Sequence, residues 1–175
     1  MLSAVLDSVV LVSALLTPGG IASSIVRQAR QGAFMCYLSD EILAETQRVL
    51  VETPRLRQRF IYTDEDVEAF VFSLRAAAHL VTDIKPLSGV VRDPNDDMIV
   101  ACAIAAAADY VVSRDDDLLS LGAYEGITMI TPEAFMECNR SRCKTRLAIR
   151  LVSDVRSSDG NSTSFAVRHM GSHPS

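Results

Sequence analysis

The chain has 175 residues and a formal net charge of −5, from 22 acidic and 17 basic side chains. A composition that is 49% hydrophobic and 22% charged excludes a disordered or fibrous chain and suffices for one domain with its own core. Residues 1–138 hold 10 basic and 20 acidic side chains while 139–175 hold 7 and 2, and a body this acidic is excluded from binding phosphates by its field alone.

Ser3 to Leu6 reads as a short buried strand that stops at Asp7, and Val9 to Leu16 as a helix ended by Pro18-Gly19-Gly20. No basic stretch precedes this segment, and Asp7 and Ser8 cut its apolar run, so neither a signal peptide nor a membrane span is expected and a cytoplasmic location is. A helix over Ile21 to Gln31 leads to a strand at Phe34 to Leu38. Ser39 then caps a helix through Leu50, with Asp40 and Glu41 in its first turn and Glu45 one turn on.

Pro54 opens a helical piece bearing Arg55, Arg57 and Arg59, a solvated face or a guide for a polyanion. Thr63 with Asp66 forms a capping-box pattern for a long helix through His79, followed by a strand at Leu80 to Ile84. After a loop through Pro86 and Gly89, Arg92-Asp93-Pro94-Asn95-Asp96 leads into an Ala-rich helix over Met98 to Ala108. Tyr110 to Ser113 is a buried strand running into Asp115, Asp116 and Asp117, and Ile127 to Ile130 is the last strand before a helix that starts at Thr131-Pro132-Glu133. The alternation predicts a doubly wound α/β fold on a parallel sheet, with function at the carboxyl ends of the strands. Beyond residue 138 a basic, Ser-rich extension is expected, at best partly helical and then disordered.

Cys36, Cys102, Cys138 and Cys143 lack ligand spacing with His, so reduced core thiols are expected rather than zinc or disulfides. The informative residues are acids. Asp7, Glu45, Asp97, Asp115 and Asp117 fall where strands stop or on helices beside such points. Converging carboxylates resist ionisation unless a cation compensates them, and all-oxygen donors favour Mg²⁺ or Mn²⁺, which lower the pKa of a bound water and offset phosphate charge. Capping competes as an explanation at Asp7 and Asp97, Glu41 rivals Glu45 for the inward position, and Asp96 rivals Asp97.

Four segments carry a family resemblance in order: Val5 to Leu15 around Asp7, Glu41 to Glu45 with Val49-Leu50, Arg92 to Ala101, and Asp109 to Leu119. Together they resemble the PIN-domain family over roughly residues 1–138, in particular the toxin branch of bacterial toxin-antitoxin pairs. The resemblance implies a three-layer α/β/α sandwich with a central parallel sheet and a metal-dependent endoribonuclease, commonly dimeric and neutralised by a cognate antitoxin. It implies Asp7, Glu45, Asp97 and Asp115 as catalytic acids, with Asp7, Asp97, Asp115 and Asp117 on the metal and Ser8, Ser113 and Asp96 in support. Val9 stands where the family usually has Asn, and this motivates a second reading, a degenerate PIN domain that binds RNA or protein without cutting. A phosphatase using Asp7 as nucleophile has little support, because no second Asp stands two residues later.

Overall fold

The run Ala4-Val5-Leu6 is wholly apolar because it lies at the middle of a sheet covered on both faces, where it is fully buried. The computed structural model describes residues 1–141. Its strands are β1 (Ser3–Leu6), β2 (Met35–Leu38), β3 (His79–Leu80), β4 (Tyr110–Val112), β5 (Ala123–Tyr124) and β6 (Ile127–Ile130), in the order β3-β2-β1-β4-β6-β5. All neighbours are parallel except β5 and β6. The helices are α1 (Ser8–Leu16), α2 (Ile21–Arg30), α3 (Asp40–Glu52), α4 (Pro54–Arg59), α5 (Asp64–Ala77), α6 (Pro94–Ala105), α7 (Asp116–Ser120) and α8, which begins at residue 132.

The architecture is the three-layer α/β/α sandwich expected from the sequence. Helices α1, α2, α3 and α5 pack on one another, and α6 lies against β1, β2 and β4. Phe34 and Phe135 meet edge to face at 4.9 Å between ring centroids in the core. From β1 the chain moves to β2 and β3 on one side, then crosses to β4 on the other. The carboxyl ends of β1 and β4 therefore flank the topological switch point, where open α/β sheets form their crevices.

Several boundaries shift from the sequence reading, among them the end of the long helix, which stops at Ala77 rather than His79. The strand expected at Leu80 to Ile84 contracts to His79–Leu80, with Asp83 in the left-handed region at φ 57°. Helix α6 starts at Pro94, four residues before Met98, because proline at a first helical position has no N–H to lose. The antiparallel β5 was not anticipated, so the sheet is mixed rather than purely parallel. Its hairpin closes through Glu125 at φ 48° and Gly126 at φ 83°, a two-residue turn with both centres left-handed, for which Glu-Gly is a weaker sequence signal than Asn-Gly.

Among the described residues no single helix is long and apolar enough to cross a membrane; α1 and α2 reach the length only together and are bent by 101°. The basic extension expected after residue 138 lies, beyond residue 141, outside the described residues. Asn139 is buried, and its side-chain amide donates to Gln28 Oε1 at 2.7 Å.

Candidate functional site

Asp7 follows the last residue of β1 and caps α1, so its position is set by strand and helix at once. It is 2% exposed. Its Oδ2 accepts from Ser113 Oγ at 2.5 Å, and its Oδ1 accepts from Ser8 Oγ at 3.3 Å and the Val9 N–H at 3.4 Å. Burial raises its pKa above the usual carboxylate range, the bonds from Ser113, Val9 and Ser8 oppose this, and the charge of Asp115 adds to it.

Ser113, fully buried just past β4, joins the two strand ends. Its hydroxyl donates to Asp7 and accepts from the Asp115 N–H at 2.9 Å. Asp115 in turn caps α7, its Oδ1 accepting from the N–H groups of Asp117 at 2.8 Å and Leu118 at 3.4 Å. Asp117 Oδ2 pairs with the exposed Arg92 guanidinium at 3.0 Å. Arg114 pairs with Glu133 at 2.5 Å, and the guanidinium holds that carboxyl below its usual range.

The neighbours Asp96 and Asp97 diverge. Successive helical residues are about 100° apart around the axis, so one face cannot hold both. Asp97, 2% exposed, is bound by a backbone loop: its Oδ2 accepts from the Gly89 N–H at 2.7 Å, and its Oδ1 from those of Val90 at 3.1 Å and Val91 at 2.8 Å. Asp96 instead lies in the field of the other acids. Its pKa is pushed up to about 7, first by burial and then by the charges of Asp115, Asp7, Asp93 and Asp117.

The sequence-predicted set is thus brought together in part. Asp7, Ser8, Ser113, Asp115, Asp117 and Asp96 gather at the switch point. Both oxygens of Glu45 are held by Arg48, at 2.8 and 2.9 Å, on the same helix. Asp97 is spent on the loop, and Asp96, expected only in support, lies in the electrostatic field of Asp115 and Asp7. Reading Pro94 as the first helical residue would have exposed this choice. Arg92 was missed altogether, since nothing in the spacing links it to Asp117.

The donors here are hard carboxylate oxygens, and burial with added like charge disfavours the ionised forms of Asp7 and Asp96, which is the chemistry a divalent cation relieves. Among the described residues no group of three or more His, Cys, Asp or Glu side chains stands arranged to hold an ion. Cys36 and Cys102 are buried and unpaired by disulfides, with burial pushing both thiols up to about 12, as expected of core cysteines. A family model described as PIN domain matches residues 3–117. Comparison with curated proteins gives no match.

Proposed function

Because this chain belongs to the PIN-domain family, whose members are generally nucleases that use divalent metals, we propose that it is a Mg²⁺- or Mn²⁺-dependent endoribonuclease. The observation carrying this reading is the placement of Asp7 and Asp115 at the switch point, joined through Ser113, with Asp96 in their field. Asp7, Asp96 and Asp115 would hold the metal, with Asp117 beside them; the metal, when bound, supplies a water of lowered pKa and charge to offset the phosphate. Ser113 orients the Asp7 carboxylate and ties it to the α7 cap. Arg92, 86% exposed on its side chain beside Asp117, is the local cation able to meet an incoming phosphate. Glu45 would join the acids only by leaving Arg48, and Asp97 acts by holding the loop.

The biological role proposed with this activity is that of the toxin of a toxin-antitoxin pair in the cytoplasm, a homodimer silenced by an antitoxin that covers the acids. Labelled single-stranded RNA with Mn²⁺ tests the chemistry. Cleavage should require the metal and fall by about 10²–10³-fold in Asp7→Asn and in Asp96→Asn; cleavage that survives chelation or either change would sink the reading.

One observation favours the second reading, a PIN domain that binds without cutting. Val9 is 47% exposed in the first turn of α1, where the family's amide would stand beside Asp7. In that case wild type is inert and Val9→Asn gains cleavage.

A further inference from the structure

Beside the acids, where β2 ends and α3 begins, the fold leaves a pocket of about 270 Å³. Ile84 and Leu87 form one wall and Met98 and Ala101 of α6 the other, with Ser39 and Glu41 at the start of α3. Ser39 directly follows β2, which pairs with β1, so the pocket opens on the same carboxyl edge of the sheet as Asp7.

We propose that this pocket takes one unstacked base of the RNA strand and that Glu41 selects guanine; the polymer's identity rests on the nuclease reading, the pocket's chemistry does not. The volume lies below the roughly 300 Å³ at which pockets for whole drug-sized ligands begin, so it suits a single ring system rather than a nucleotide. Ile84, Leu87 and Met98 are packed on the core yet only partly buried, and their free faces give a planar base apolar contact. Glu41 is the one ionisable group in the lining.

A carboxylate accepts hydrogen bonds and donates none. Guanine presents two adjacent donors, its ring N1–H and its exocyclic amino group, which match the two oxygens. Adenine and cytosine set an amino group beside an acceptor nitrogen, and uracil sets its N–H between two carbonyls, so each would turn a lone pair on the carboxylate. The pocket is also preformed. Asp97 fastens Gly89, Val90 and Val91 just beyond the Ile84–Leu87 wall, which lowers the ordering cost of binding.

Methyl-labelled full-length protein titrated with each of the four ribonucleoside monophosphates, and with inorganic phosphate as control, tests this without catalysis. The methyl signals of Ile84, Leu87 and Met98 should move with guanosine monophosphate at an affinity about tenfold above the others. Glu41→Gln should erase the preference, and Ala101→Leu, which fills the pocket, should abolish the shifts. Equal response to all four bases, shifts with phosphate alone, or a preference that survives Glu41→Gln would overturn the proposal. Metal-dependent cleavage without guanine binding would overturn the pocket and leave the nuclease standing; guanine binding by a protein that does not cut would do the reverse.

Discussion

Asp96 and Asp97 share a peptide bond and differ in what their charge costs. The Asp97 oxygens accept from a nest of three N–H groups, whereas Asp96 is pushed up by burial and by the like charges around it. Their isosteric amides should therefore shift stability in opposite directions. Asp97→Asn loses charge-assisted bonds and should cost about 2 kcal/mol in thermal or denaturant unfolding. Asp96→Asn should raise the melting temperature of the metal-free protein at pH 8 by roughly 2–4 °C, a modest figure because the group is partly solvated. The pH dependence fixes the sign. With a folded pKa of about 7 against an ordinary 3.8, the native state holds the Asp96 proton across that interval, so this residue's contribution falls as pH rises from 3.8 to 7. The gain from Asp96→Asn should be complete above pH 7 and fade towards pH 4; a gain that does not change with pH would exclude the electrostatic origin.

Between elements, the link that matters is Ser113, whose N–H continues the β4–β6 ladder to Ile130 O at 3.1 Å while its hydroxyl spans from Asp7 after β1 to the Asp115 amide before α7. Ser113→Ala should weaken Mn²⁺ binding about 10–100-fold by calorimetry while Asp7 stays in place, and Ser113→Thr, which keeps the hydroxyl, should restore most of it. Much at this scale was legible in the sequence. The strands around Asp7 and before Asp115 showed as apolar runs ending at acids, and the Thr63–Asp66 capping box is present with both bonds, at 2.8 and 3.2 Å. What was not legible depended on helix phase and on contacts between distant segments. Starting α6 at Met98 rather than Pro94 left both acids in a loop, without the helical phase that separates them. The engagement of Asp97 by Gly89 to Val91 and the capture of Glu45 by Arg48 appear only once the chain is folded.

For the unit Met1–Arg140 as a whole, an acidic body repels a polyanion by its own field, and on the proposed reading a bound cation offsets that field. Metal and protons then compete for the same oxygens. At a hundredfold excess over its dissociation constant, Mn²⁺ should stabilise the protein by about 2.7 kcal/mol. The dissociation constant itself should rise steeply as pH falls below 7, and thermal shifts at pH 5.5 and 8 read the difference. Equal shifts at both would separate metal binding from these carboxylates. The sheet has a further property at its borders. β3 and β5 are only two residues each, and the antiparallel turn of β5 reverses the direction in which another strand would have to pair. Such blunt margins give a neighbouring chain too few free amides to zip onto, so the sheet is closed to growth and guarded against fibre-like stacking. Any protein that docks on this domain must grip side chains, and its specificity is then open to change one surface residue at a time.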